Sequence, residues 1–275
     1  MKMELPKVDL CGTKVTRLIL GSNPVSGVSH YSERVTKEME DYFTMENAKK
    51  LLRRCEELGV NTFQGRADRW LLHLLHEHRM EGGNLQFISQ TATEMGDIRG
   101  NIKQAVKFGA FAVYHHGTET GNYWREGRIE EVREIMKTAR DLGAAVGVGA
   151  HMPEIIEYIE EKDWDIDFYM ASFYNVYKGM KERRQSYIIT GVHREDIFEE
   201  EDRELMCRTI KNASRTCLAF KILAAGRNCT DNESVREAFL FAFENIKPSD
   251  AVVVGMFPRD SDQAAENAAL VKEFG

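Results

Sequence analysis

Apolar runs and amphipathic stretches alternate regularly along this chain. Eight short apolar runs, bounded by glycine, proline or polar residues, have the length of strands that are buried on both faces. The stretches between them carry apolar residues at intervals of three and four, which is typical of helices packed on a sheet. The predicted strands are residues 16–21, 60–66, 85–92, 110–117, 144–151, 165–175, 217–227 and 250–258.

Eight strand–helix units in 275 residues predict an α/β fold, the closed parallel (β/α)8 or TIM barrel. Gly59, Gly109 and Gly143 each end a predicted helix just before the next strand, as short helix–strand turns require. Residues 8–15 predict a small amino-terminal hairpin, and long loops follow strands one, four and six. We expect residues 1–275 to be one domain; an open doubly wound sheet is the alternative.

Charge and composition narrow the classes of partner. The chain has 37 basic and 44 acidic residues, a net charge of −7 and no basic tract, which argues against binding to nucleic acid or to an acidic membrane surface. Its five cysteines form no CxxC pair, which is typical of reduced thiols. No apolar run is long enough to cross a bilayer. We therefore expect a cytoplasmic protein that binds a small molecule.

The seventh predicted strand contains one lysine, Lys221, in an otherwise apolar run. A buried ammonium group without a partner is costly, so Lys221 must reach solvent, an opposite charge or a ligand. The carboxyl ends of barrel strands open onto the ligand crevice, which favours a position for Lys221 at that crevice. An ion pair that only stabilises the fold is the alternative.

Polar and ionisable residues also follow the other predicted strands. We expect His115, His116 and His151 to act with Lys221 as catalytic groups, because histidine exchanges protons near neutral pH. Adjacent residues of a strand point to opposite faces, so only one of His115 and His116 faces the end of the barrel. The residues expected to bind the substrate are Gln64, Arg66, Gln90, Tyr174, Asn175, His193 and Arg259.

Three kinds of chemistry are open for these residues. Converging histidines could hold a divalent metal, although the histidines at the strand ends form no HxH or HExxH motif. One histidine could act as an acid or base, or Lys221 could form a Schiff base with a carbonyl substrate. Tyrosines on the long loops, beside amide and hydroxyl groups, would suit a small polar ligand such as a sugar.

Several stretches, taken in order, resemble the aldo-keto reductase superfamily over nearly the whole chain. Residues 8–27 resemble its opening hairpin and first strand, and residues 55–69 resemble its "GINFFDTAxxYG" stretch. The resemblance implies a (β/α)8 barrel and a hydride transfer from NADPH. The other stretches that carry it are AFAVYHHG, ASFYN, AFKILAAG and VVVGMFPRDSDQAAENAAL.

The resemblance also implies roles for single residues. His116 matches the active-site histidine of the family, Phe220 the aromatic ring that stacks on nicotinamide, and Glu266 with Asn267 the pair on the adenine side. Gln64 stands where the family has its catalytic aspartate. The tyrosine and lysine of the family have no counterpart, so the resemblance implies a cofactor-like site without the usual proton donor.

These observations predict an aldo-keto-reductase-like barrel enzyme that acts on a small polar substrate of carbohydrate or carbonyl type. Histidine and lysine side chains would carry out acid–base catalysis, with or without the help of a bound metal ion, rather than ordinary carbonyl reduction. One alternative is an NADP(H)-dependent oxidoreductase with a non-standard proton donor. The other is a non-catalytic barrel that binds a ligand. The choice between NADP(H) and a divalent metal as cofactor stays open.

Overall fold

A computed structural model describes residues 4–178, 190–191 and 196–275, except for the side chain of Glu94. The strands are β1 (Lys7–Leu10), β2 (Thr13–Thr16), β3 (Leu18–Gly21), β4 (Thr62–Arg66), β5 (Gln86–Gln90), β6 (Ala110–His115), β7 (Ala145–Ala150), β8 (Phe168–Ser172), β9 (Thr216–Phe220) and β10 (Ala251–Gly255). The antiparallel strands β1 and β2 form a hairpin, and the other eight strands form a closed parallel barrel in the order β10-β3-β4-β5-β6-β7-β8-β9. This confirms the predicted (β/α)8 barrel and its hairpin.

Helices surround the barrel, and the glycines at 59, 109 and 143 have φ angles of 97°, 84° and 76°. These left-handed conformations confirm the predicted turns, because glycine adopts them without steric cost. Throughout the described ranges, each helix is too short or too polar to cross a lipid bilayer. The helices are α1 (Glu33–Tyr42), α2 (Met45–Leu58), α3 (Arg69–Met80), α4 (Ile98–Lys107), α5 (Gly117–Arg125), α6 (Ile129–Asp141), α7 (Pro153–Glu161), α8 (Glu200–Asn212), α9 (Asn232–Asn245) and α10 (Gln263–Phe274).

Side chains of the barrel strands alternate between two hydrophobic cores. Ile88 and Phe168 belong to the cluster inside the barrel, whereas their neighbours Phe87 and Tyr169 belong to the cluster between the strands and the helices. Successive side chains of a strand point to opposite faces, so each strand contributes to both cores. Burial on both faces explains why the strands are continuous apolar runs in the sequence.

The hairpin of β1 and β2 covers the amino-terminal end of the barrel. Val8, Leu10 and Val15 are buried in the same cluster as the interior side chains of the barrel strands. The opposite end, formed by the carboxyl ends of the strands, is called the mouth below. A barrel that is closed at one end leaves the mouth as the place for a ligand site.

Two of the segments expected to be loops contain helices. α1 lies between β3 and α2, and α5 follows β6 directly. The hydroxyl of Ser32 accepts a hydrogen bond from the Val35 amide at 3.2 Å, which caps the first turn of α1. Both helices are dominated by polar residues, and this is why an apolar stripe did not reveal them.

The strand expected over residues 217–227 is shorter than its apolar run. β9 ends at Phe220, and Lys221 follows with a φ of 62°. A left-handed residue turns the backbone out of the extended conformation, so the ladder ends there. Residues Ala224–Gly226 then form a short 3-10 turn. Lys221 therefore lies directly after the strand rather than inside it.

Candidate functional site

A cavity of about 580 Å³ opens at the mouth between β3, β9 and β10. This volume lies within the range of small-molecule sites, roughly 300–1,000 Å³. Val28, Met39 and Phe257 supply apolar wall, and Ser22 and Asn23 supply polar groups. The wall continues over the first turns of α9 and α10. A mixed wall of this kind suits a small polar molecule with an apolar face.

Lys221 lies on the wall of this cavity, at the carboxyl end of β9. The side chain is half-buried, and its Nζ lies 5.7 Å from the centroid of the Phe198 ring. Ala224 and Ala225 also have positive φ angles, 47° and 54°. A hydrogen bond of 2.8 Å from the Ala224 amide to the Lys221 carbonyl closes this turn. The tight turn holds the base of the lysine in place beside the cavity.

A histidine–aspartate pair lies on the same wall. His30 lines the cavity, and its Nδ1 is 2.8 Å from Oδ2 of Asp196. The Asp196 side chain is completely buried, whereas the His30 side chain is 27% exposed. No local spacing in the sequence signals this contact, because 166 residues separate the two members of the pair. The sequence feature that pointed to this site was His30 itself, which lies in the segment after β3.

His116 and His151 form a second group at the mouth. The His151 ring lies 5.3 Å from the Phe220 ring and 5.1 Å from the Tyr177 ring, centroid to centroid. The backbone just after His116 packs on His151, since a Cβ at Gly117 would lie 3.2 Å from the His151 ring. In the described part of the chain, neither histidine contributes to the wall of the cavity. Phe220, which does line the cavity, packs on His151 and joins the two groups.

His115 faces the helices rather than the mouth. Its Nδ1 lies 2.9 Å from Oγ1 of Thr120 on α5, and its ring packs edge-on against Tyr123. Burial lowers the pKa of His115 to about 3, so the ring is neutral. Tyr114 before it points into the barrel, and strict alternation then directs His116 inward again. This separates His115 from the mouth, and it takes no part in the function proposed below.

Gln64 and Gln90 are both held by the hydroxyl of Tyr114. The Tyr114 hydroxyl accepts a hydrogen bond from Gln64 Nε2 at 2.7 Å and donates one to Gln90 Oε1 at 2.8 Å. Burial raises the pKa of Tyr114, so the phenol keeps its proton. Gln64 lines the cavity and Gln90 does not contribute to its described wall. This bridge joins β4, β5 and β6 and holds the Gln64 side-chain amide beside the cavity.

The other residues expected to bind substrate are dispersed. Arg66 is buried beside Asp68, with 3.5 Å between its Nε and the carboxylate. Tyr174 packs on Phe198 in the outer layer. The Asn175 side-chain oxygen accepts a hydrogen bond from the Tyr177 amide at 3.1 Å.

One further expected residue, Arg259, lies away from the described site. Arg259 is exposed, pairs with Glu38 and Asp260, and lies outside the described cavity wall. His193 falls outside the described residues. Long-range packing decides the position of Arg259, and the spacing of residues after the strands does not predict such packing.

The residues expected on the cofactor side come together. Phe220, Glu266 and Asn267 all line the cavity, on the same wall as Lys221. The Glu266 carboxylate accepts a hydrogen bond from the Ser261 hydroxyl at 3.1 Å. Over the residues that the structure describes, no group of three or more His, Cys, Asp or Glu side chains is arranged to hold a metal ion.

Comparison with known proteins gives similarity in structure but not in sequence. No family model matches the chain, and no curated protein matches it. The glycerol dehydrogenase AKR11B4 from Gluconobacter oxydans has a TM-score of 0.59 and 11% identity, over 99% of this chain and 91% of that one. Gox0644 in its apo form has a TM-score of 0.56 and 9% identity, over 99% and 94%.

A barrel with different chemistry is also similar. A truncated 3-deoxy-D-arabino-heptulosonate 7-phosphate synthase from Thermotoga maritima has a TM-score of 0.54 and 13% identity, over 98% of this chain and 91% of that one. At such low identities the likeness shows the (β/α)8 fold alone, because unrelated activities share this barrel.

Proposed function

We propose that this chain is an enzyme that acts on a small polar carbonyl compound, of carbohydrate type, through acid–base chemistry by histidine and lysine. One observation carries the proposal: a single cavity at the barrel mouth is lined by Lys221, Gln64 and His30. A cationic group, a hydrogen-bonding amide and an imidazole are the groups that such chemistry needs.

Lys221 is the residue best placed to stabilise charge on a substrate oxygen. Lys221 lines a cavity with apolar walls at Val28, Met39 and Phe257, and its Nζ is buried. Partial exclusion of water strengthens the interaction of a fixed charge with an oxygen that becomes negative during the reaction. Hydroxyl groups of the substrate would bind the Gln64 carbonyl and the Ser22 and Asn23 side chains on the same wall.

Replacement of the lysine tests the proposal directly. In a panel of sugars, hydroxy-aldehydes and hydroxy-ketones, we expect Lys221→Met to lower kcat/KM by about 100-fold or more, the effect of removing one preorganised charge partner. Lys162→Met is the matched control, because Lys162 pairs with Glu161 on the surface after α7. Wild-type activity in Lys221→Met would contradict the proposal. Binding of a compound by the wild-type protein without turnover would instead favour the non-catalytic barrel.

A second candidate, an NADP(H)-dependent oxidoreductase, is favoured by a separate observation. Phe220, Glu266 and Asn267, the positions that the aldo-keto reductase resemblance assigns to the cofactor, all line the one cavity with Lys221. These residues fit a nicotinamide ring on Phe220, an adenine near the start of α10 and a phosphate near Lys221. The cofactor would supply a hydride to the substrate carbonyl.

Titration with NADPH separates the two candidates. If NADPH binds, its fluorescence changes saturably, and we expect Phe220→Ala to weaken that binding about tenfold because a stacking face of roughly 1–1.5 kcal/mol is lost. Phe111→Ala serves as the control, since Phe111 packs at the far end of β6. An unchanged NADPH spectrum at millimolar concentration would exclude this candidate.

A further inference from the structure

We propose that His30 carries out the proton transfer of this enzyme and that Asp196 is the residue that positions it. The inference rests on the proposed function, because it names the acid–base group and the substrate class of the same site. Among the histidines that the structure describes, His30 is the one that lines the cavity. Of the histidines that the sequence favoured, His151 packs on Phe220 instead, and the residue after His116 lies against the His151 ring.

The contact between His30 and Asp196 defines the state of the imidazole. A completely buried carboxylate lies 2.8 Å from Nδ1 of His30. That carboxylate accepts the Nδ1 proton, so Nε2 becomes the basic nitrogen of the ring. It also stabilises the imidazolium that forms when Nε2 takes up a proton. A histidine with an orienting carboxylate is the arrangement that general acid–base catalysis uses.

Neighbouring residues hold this pair in a fixed relation to Lys221. The backbone at His30 has a φ of 56°, and the Arg227 guanidinium donates a hydrogen bond of 3.1 Å to its carbonyl. Arg227 also lies 4.1 Å from the centroid of the Phe198 ring, and Lys221 Nζ lies 5.7 Å from the same centroid. Phe198 follows Asp196 by two residues. The segment 196–198 therefore contacts both the histidine and the lysine.

Charges around His30 show why the aspartate matters. The Arg227 guanidinium contacts the His30 backbone, and Lys221 lines the same cavity as His30, so both cations oppose a positive charge on the imidazole. Asp196 supplies the negative charge that offsets them, from a position without exposure to solvent. Without this carboxylate, His30 would be a weaker base.

This pair suits a carbonyl compound that carries a hydrogen on the adjacent carbon, such as a hydroxy-aldehyde or hydroxy-ketone. His30 Nε2 takes the proton from that carbon, and the electron pair of the broken C–H bond forms an enolate. The Lys221 ammonium stabilises the negative enolate oxygen. Return of a proton from His30 to the same carbon restores the carbonyl group and the neutral imidazole, and it releases the compound with that hydrogen exchanged. No oxidant or reductant is consumed.

Exchange of this hydrogen for deuterium tests the step without any cofactor. Dihydroxyacetone and a panel of related hydroxy-aldehydes and hydroxy-ketones are incubated with the protein in D2O, and NMR follows the loss of the carbon-bound hydrogen. We expect exchange with the wild-type protein and a rate at least about 100-fold lower with His30→Asn. His73→Asn is the matched control, because His73 is an exposed histidine on α3, and it should behave as wild type.

Asp196→Asn separates a positioning role from a purely structural one. We expect exchange to slow by about tenfold or more and the acidic limb of the pH–rate profile to move to lower pH, because the amide no longer favours the imidazolium. In ¹⁵N NMR spectra the wild-type protein should show the proton of neutral His30 on Nδ1. The assignment would be overturned if the acidic limb of the pH–rate profile stayed at its wild-type pH in Asp196→Asn. It would also be overturned if neutral His30 of the wild-type protein carried its proton on Nε2.

The two proposals fail in different ways. Exchange that is lost in Lys221→Met but unchanged in His30→Asn would leave the proposed function standing and refute the role of His30. Absence of both exchange and turnover in the wild-type protein would refute the proposed function itself, and the catalytic role of His30 with it.

Discussion

At the scale of single residues, the face of a strand decides what a side chain can do. His115 and His116 are adjacent, yet His115 is buried against Thr120 in the helix layer while His116 follows on the mouth side. Alternation predicts that the two rings differ in direction. It does not predict which ring points inward, because that depends on Tyr114 and its hydrogen bonds inside the barrel.

The burial of His115 should make stability depend on pH. Burial lowers its pKa from 6.5 to about 3, so the folded protein holds a neutral ring while the unfolded chain binds a proton below about pH 6.5. The stabilisation is complete above pH 6.5 and is lost as the pH falls toward 3. We expect the free energy of unfolding of wild type to fall more steeply than that of His115→Leu, by up to about 1.4 kcal/mol per pH unit.

Urea unfolding at pH 7, 6 and 5 checks this expectation. Thr120 keeps a hydrogen bond to the His116 carbonyl in the variant, so the comparison isolates the titration of the ring. The exposed His73→Leu variant should have the same slope as wild type. Parallel curves for wild type and His115→Leu would show that the ring is protonated in the folded state.

At the scale of elements, the barrel interior is filled by large side chains that meet small ones on the next strand. Gly147 on β7 pairs with Phe168 on β8, and the aromatic ring occupies the space that a side chain at position 147 would need. The run AVGVGA has the length of a strand, which is why the sequence predicts β7 correctly. That Phe168 lies opposite Gly147 follows from the order and register of the strands. Neither the order nor the register can be deduced from the sequence of one strand.

Filling this space should destabilise the fold. In Gly147→Ala the new Cβ would lie 2.4 Å from the Phe168 ring, so we expect the free energy of unfolding to fall by about 1–3 kcal/mol. Gly121→Ala is the matched control: its Cβ would meet Met152 at an ordinary 3.4 Å, and alanine is the better helix former, so stability should stay equal or rise. Chemical denaturation measures both, and equal stability of the two variants would contradict this packing.

At the scale of the whole molecule, the two ends of the barrel have different tasks. The hairpin of β1 and β2 covers the amino-terminal end with Val8, Leu10 and Val15, whereas the cavity and its ionisable groups lie at the mouth. In such barrels, residues of the closed end serve stability and residues of the mouth serve chemistry. Substitutions at the two ends should therefore have separable effects.

Truncation of Leu10 tests this separation. Leu10 is buried in the interior cluster, so we expect Leu10→Ala to lower the free energy of unfolding by about 2–5 kcal/mol. Ligand affinity at the mouth should stay unchanged at temperatures where the variant is folded. Met80→Ala, at a side chain that is 76% exposed, should change stability by less than about 0.5 kcal/mol. A loss of ligand affinity in folded Leu10→Ala would show that the two ends are coupled.

The sequence by itself determined the eight strands, the barrel, the hairpin and the place of Lys221 at the mouth. These features follow from local periodicity and from turn residues, which act over a few neighbouring positions. Only the tertiary structure decided that His30 meets Asp196 across 166 residues and that Tyr114 joins Gln64 to Gln90. Such contacts depend on which strands become neighbours when the barrel closes and on how each segment packs above them. No local pattern carries that information.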